Sequence, residues 1–181
     1  ITLNFNTLFG TTGFPAQGPH PLSVELIDAA GNVSAQSEQL LLTIDFTGPA
    51  VSNPQLLDSS NSASLLDLIT NKVQPAFGGV AEMNAKIHVL ANGVLVGTGY
   101  VQSDLSDGIP NNNRGIWEVT VEPLADGDYV ITTLVEDLAG NFSLASQPLT
   151  VTIDATAPQR PTLDLPAAYD SGSSDLDNVT N

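Results

Sequence analysis

The chain contains no cysteine, and only 4 of its 181 residues are lysine or arginine. The first absence removes disulfides and thiolate chemistry. The second removes the cationic patch that nucleic acid or an anionic membrane surface requires, because phosphates are neutralised by Lys and Arg. Against those few cations stand 20 aspartates and glutamates, giving a formal charge of −16. Self-repulsion of that size works against a compact state unless cations or solvent screen it. Aromatic residues make up only 6%, few for a platform that would stack sugars or bases. No apolar run approaches the roughly 18 residues of a membrane span, and no signal peptide opens the chain. The chain starts with Ile1 rather than Met, so it is expected to be a piece of something longer. What is present is 41% hydrophobic residues, enough for a core and too many for global disorder.

Internal self-similarity sets the organisation. "DAAGNVSAQSEQLLLTIDFTGP" from Asp28 aligns without a gap with "DLAGNFSLASQPLTVTIDATAP" from Asp137, at a constant offset of 109 residues. Asp, Ala, Gly, Asn, both Ser, Leu, Thr, Ile, Asp, Thr and Pro coincide. "DSSNSASLLDLITN" (58–71) corresponds more loosely to "DSGSSDLDNVTN" (170–181). The expected division is residues 1–48 as the C-terminal half of one unit and 49–157 as a complete unit. Residues 158–181 would be the first strand ("PTLDLP") and loop of a third.

Within the complete unit "AFGGVAE", "AKIHVLANGVLVGTGYV", "GIWEVTVEP", "YVITTLVED" and "PLTVTID" carry short, β-rich, period-two alternation. Gly, Pro, Asn and Asp clusters bound them, and Asn92-Gly93 supplies a hairpin turn. No stretch sustains a helical period; "SASLLDLI" (62–69) is too short. About seven strands and polar turns predict a two-sheet antiparallel sandwich of about 110 residues. "LADGDY" (124–129) has the Leu, Gly, Tyr order of a tyrosine corner. The first unit has Pro15, Gly18 and His20 at the matching positions, so its corner is expected to be lost or altered.

"TIDATAP", "DLAGNFS", "NGVLVGTG", "PLADGDY" and "DSGSSDLDNVTN" together resemble the tandem Ig-like repeats of giant bacterial surface adhesins, the type I-secreted, RTX-type proteins of Gram-negative bacteria. The resemblance spans nearly the whole chain. It departs at 58–71, where "SASLLDL" replaces much of the Gly/Asp pattern, and at 1–21. It implies an all-β, Ig-like fold, an extended rod of repeats, and Ca²⁺ at the junctions between them.

Ca²⁺ takes six to eight oxygen ligands. The 170–181 loop offers Asp170, Asp175 and Asp177 with Ser and Asn oxygens. It is not an EF-hand, since Asp175 stands where that loop needs Gly and Asn181 where it needs Glu. The same residues also suit a solvated turn stabilised by Asx bends. In a sandwich of this topology Asp45 leaves one unit where Asp137 and Asn141 of the next arrive, with Glu82 on a neighbouring loop. Asp154 leaves the opposite pole, near loops 58–71 and 124–129. Carboxylates brought together at a junction repel one another unless a cation bridges them, though Asp and Gly-Asn are also ordinary turn residues.

Catalysis finds little support. His20 and His88 are the only histidines, and His88 falls in a strand pattern; no G-x-S-x-G, H-E-x-x-H or phosphate-binding glycine loop occurs. Trp117 reads as a core residue. The sequence thus describes a non-enzymatic, calcium-stiffened extender of a bacterial surface adhesin, extracellular and partnered by neighbouring repeats of its own chain. Neither nucleic acid, membrane insertion nor direct binding of a host ligand is expected of it. Two alternatives stand beside this one: a glycan- or protein-binding module using residues 1–21 or the 103–115 loop, and an accessory Ig-like domain of a secreted enzyme.

Overall fold

The computed structural model describes residues 16–62, 64, 67–103, 113–164, 166 and 169. The strands, in chain order, are β1 (Gly18–Leu22), β2 (Leu40–Ile44), β3 (Gln55–Leu56), β4 (Ile69–Thr70), β5 (Ala76–Glu82), β6 (Lys86–Ala91), β7 (Val94–Tyr100), β8 (Gln102–Ser103), β9 (Arg114–Thr120), β10 (Gly127–Glu136) and β11 (Leu149–Ile153). No helix occurs among the described residues. β1 and β2 form a two-stranded antiparallel ribbon. The others make two sheets, β4-β11-β10-β6-β7 and β3-β5-β9-β8.

Alternation builds both sheets, because side chains along a strand point to opposite faces in turn. In β9, Gly115, Trp117 and Val119 are buried while Arg114, Ile116, Glu118 and Thr120 face solvent. β6 buries Ile87, Val89 and Ala91 in the same way. Between the sheets these meet Phe77 of β5, Ile131 and Val135 of β10, and Val151 and Ile153 of β11. Trp117 is a core residue, and its indole Nε1–H donates to Ser52 Oγ at 2.8 Å. Asn92 and Gly93 both take positive φ, 50° and 81°, the conformation that matches a tight hairpin to strand twist. The Asn92 carboxamide oxygen then accepts the Val130 amide at 2.9 Å, which ties the turn to β10.

The sandwich departs from pure antiparallel pairing once, where β4 runs parallel to β11. The opening segment first pairs with β5 as β3, then crosses to the other sheet without reversing direction, so it reaches β11 in the same sense. Ser60 holds the crossing. Its hydroxyl accepts the Ala76 amide at 2.8 Å, and its carbonyl accepts the Thr70 hydroxyl. The short β4 also covers the edge of β11 that would otherwise stand open.

The repeat seen in the sequence is repeated in geometry. β1 pairs β2 from Gly18↔Ile44 to Leu22↔Leu40, and β10 pairs β11 from Gly127↔Ile153 to Ile131↔Leu149, each pair shifted by the same 109 positions. The serines that close the intervening loops correspond too. Ser34 and Ser37 accept the amides of Leu26 and Val24; Ser143 and Ser146 accept those of Val135 and Thr133.

The corner expected at Tyr129 is formed, its hydroxyl donating to the Ala125 carbonyl at 3.1 Å. In the first unit the corner is altered rather than lost. His20 stands in the tyrosine's place, and its Nε2–H donates to the Ala16 carbonyl at 2.6 Å, the same four-residue span. Imidazole and phenol both place a donor at the end of a flat ring, which is what the turn needs. Tyr129→Phe removes that donor and leaves the ring; a loss of about 1 kcal/mol is expected in urea denaturation. A change below a few tenths would show that the bond contributes nothing net.

Candidate functional site

Four of the residues singled out in the sequence, Asp45, Glu82, Asp137 and Asn141, lie at the pole where β2 gives way to the sandwich. The loop from Asp137 to Asn141 is built around one carboxylate. Asp137 Oδ1 accepts the amides of Ala139 and Asn141 at 2.8 Å each, and Oδ2 accepts the Asn141 side-chain amide at 2.9 Å. Gly140, at φ 86°, turns the backbone where a side chain would be strained. Asp28 repeats the arrangement with Ala30 and Asn32. For Asp137, partial desolvation pushes the carboxyl up, but the Asn141 side chain and the loop amides outweigh it and hold it below the ordinary 3.8. At Asp28 the Asn32 side chain leads in lowering it. A depressed carboxyl favours the folded loop above its unfolded pKa, and that contribution is lost as pH falls through the folded value.

The linker that follows β2 is laid across this loop. Asn141 Nδ2 donates a second bond, to the Asp45 carbonyl at 3.2 Å, and Asp45 Oδ1 accepts the Thr47 amide at 2.9 Å. Gly48 then packs so closely that an added Cβ would overlap the Phe142 carbonyl oxygen. Behind it, the Phe142 ring lies tilted against His88, centroids 5.5 Å apart. His88 Nε2 meets Glu136 Oε2 at 2.8 Å, with Lys86 Nζ 3.9 Å from the same oxygen. This is a cross-strand tie between β6 and β10. Gly48→Ala should lift the linker from the loop, a packing conflict of about 1–3 kcal/mol that the exposed linker relieves by moving. The expected signature is faster exchange of the Thr47 amide with the sandwich's melting midpoint little changed; a fall in that midpoint matching the whole conflict would refute it. Ala157 occupies the equivalent position after β11 and already carries a Cβ.

Asp45, Glu82 and Asp137 line one cleft of about 380 Å³ at this pole, with Thr43, Met83 and Leu138. They share the cleft without converging. Among the described residues no three acidic or histidine side chains stand close enough together to hold a metal ion. Asn141 lies beside the cleft as a bridge between loop and linker.

Asp154 is at the other pole, next to both loops anticipated for it. Its amide donates to the Thr70 carbonyl at 2.9 Å, and its Oδ1 accepts the Thr156 amide at 3.2 Å. Asp126, which was not singled out, does more here. It accepts the Ala155 amide at 2.9 Å and the Thr156 hydroxyl. Those bonds, the hydroxyl's first, lower its carboxyl. Gln17 takes its place in the first unit, accepting the Thr47 hydroxyl at 2.8 Å. A threonine follows the linker aspartate in both repeats, but its acceptor is Gln17 in one and Asp126 in the other, so residue order alone does not point to Asp126. Asp170, Asp175 and Asp177 lie outside the described residues, as does most of the 103–115 loop.

The family model described as a bacterial Ig-like domain matches residues 48–155. No curated protein matches the chain. Among solved structures, fibronectin(III)-like modules of Clostridium thermocellum CbhA are similar at 12% identity, over 83% of this chain and 70% of that one, with a TM-score of 0.43. The BSP domain of a biofilm-associated protein is similar at 21% identity, over 83% of this chain and 22% of that one, with a TM-score of 0.34.

Proposed function

The chain belongs to the bacterial Ig-like domain family, and on that footing we propose that it is an extender segment of a bacterial cell-surface adhesin whose junctions are stiffened by calcium. Its work is to hold distal parts of the protein at a distance, its partners being the neighbouring repeats. The observation that carries the reading is the linker docked on the loop of the following unit, through Asn141 to Asp45 and Gly48 against Phe142. Units that touch only their neighbours give length by addition, with stiffness set junction by junction. The motif resemblance adds the surface location, type I secretion and the ion.

Apart from the Met83 thioether, the side-chain donors at the cleft are oxygens, which suits a hard cation such as Ca²⁺. Asp45 comes from one unit and Glu82 and Asp137 from the next, so an ion shared among them would fix the angle between units. Because they do not converge, Asp45 and Glu82 would rotate toward the ion and water would complete its shell. Asp154 would serve the second junction, and Asp170, Asp175 and Asp177 the last loop.

Small-angle scattering of the chain in EDTA, in about 1 mM CaCl₂ and in MgCl₂ tests this. Calcium alone should lengthen and narrow the distribution of intramolecular distances. Three superimposable curves would remove calcium stiffening from the account and leave a junction held by protein contacts only.

A further inference from the structure

The ribbon β1–β2 exposes apolar side chains on one face, and the repeat shows what that face is made to touch. Val24, Leu26 and Leu42 are 44%, 52% and 38% exposed. Their counterparts 109 positions on, Thr133, Val135 and Val151, are 0%, 0% and 1% exposed. Leu22 and Ile44 are half-buried, where Ile131 and Ile153 are fully buried. In the complete unit that face is covered by Phe77 of β5 and by Trp117 and Val119 of β9, with Ile87 and Val89 of β6 beside it in the same sheet.

The edges agree with the faces. β10 pairs β6 from Ile131 to Glu136, and β11 receives β4 through the Thr152 and Asp154 amides. The corresponding edges of the ribbon, Leu22 to Ile27 and Thr43 to Asp45, have no strand beside them among the described residues. Pro19 and Pro21 fall before the stretch that would pair, so the missing amides do not block a ladder there.

We propose that the ribbon is a receptor surface for a half-sandwich of this same fold, a segment with the strand and apolar pattern of β3 to β9, and that together the two make a second complete unit. A second copy of this chain does not fit as the occupant, because its own β3–β9 half is already filled by its own β10 and β11. Residues 158–164 do not fit either: no strand forms there, and Leu163 is 99% exposed. The proposal needs neither calcium nor a surface location.

Hydrogen exchange and light scattering test it. The chain as it stands should be monomeric, with the amides of Leu40–Ile44 exchanging on the order of 100-fold faster than those of Leu149–Ile153. A chain in which a copy of residues 49–125 is joined to Gln17 restores the repeat's register. In it the Leu40–Ile44 amides should be protected to within about tenfold of Leu149–Ile153. Leu42→Asp in that extended chain should return Leu40–Ile44 to fast exchange and leave Leu149–Ile153 unchanged. Continued fast exchange in the extended chain, with the 49–157 unit intact, overturns the proposal. So does a dimer of the original chain whose Leu40–Ile44 amides are already protected, which would make a second copy the occupant.

Discussion

Phe77→Ala should destabilise the sandwich by about 3–5 kcal/mol. The ring has no exposed surface and stands where β5 of one sheet faces β6 and β10 of the other. Removing it deletes the largest apolar contribution at that point and leaves a cavity that surrounding Ile and Val side chains, each held by its own strand, fill only in part. Against a total of about 5–15 kcal/mol for a domain, that is enough to shift the urea midpoint strongly. The informative control is Leu42→Ala on the ribbon, a buried position by repeat logic and an exposed one in this chain. Its cost should stay within about 0.5 kcal/mol. A Phe77→Ala cost below about 1 kcal/mol, or a Leu42→Ala cost approaching the Phe77→Ala one, would contradict the division between a filled and an unfilled half.

Calcium should stabilise the chain by about 3 kcal/mol at a hundredfold excess over its dissociation constant, following RT ln(1 + [L]/Kd). For a chain of this size that corresponds to a rise in melting temperature of roughly 6 to 12 °C. Extracellular modules bind in the range of about 10⁻⁴ to 10⁻³ M, so the hundredfold excess is reached at about 10 to 100 mM calcium, and about 1 mM gives roughly 0.4 to 1.4 kcal/mol. Magnesium should substitute poorly, since it prefers a tighter octahedral shell and keeps its waters. Glu82→Gln is the cleaner probe of the junction cleft, because Asp137 also closes its own loop and its loss would confound the result. Asp175→Asn probes the C-terminal loop separately. If Glu82→Gln alone lowers the calcium response, the cleft carries the ion; if Asp175→Asn alone does, the loop carries it. Identical melting curves in EDTA, calcium and magnesium, with no heat of binding, would reduce all of these carboxylates to turn formers.

The local features of this protein were written in its sequence. Alternation with period two in β6, β9 and β10 made them strands because side chains on a strand leave its two faces in turn. Asn92-Gly93 made a hairpin because few other pairs tolerate positive φ twice. The constant offset between Asp28 and Asp137 announced two equivalent loops, and topology alone brought Asp45 to Asp137, Asn141 and Glu82. Only the tertiary structure decided the rest. That β4 runs parallel to β11 follows from a chain crossing between sheets, which leaves no mark in residue order. That histidine can replace the corner tyrosine depends on where a ring nitrogen ends up, not on resemblance between the residues. Asp126 emerged as the anchor of the second linker because the Ala155 amide and the Thr156 hydroxyl converge on its carboxylate, and Asn141 proved to be a bridge because its amide reaches both a carboxylate and a carbonyl. The equivalent apolar positions are buried in β11 at Val151 and Ile153 and more open in β2 at Leu42 and Ile44, since burial is a property of what lies opposite and a strand's own sequence cannot encode its neighbour's presence.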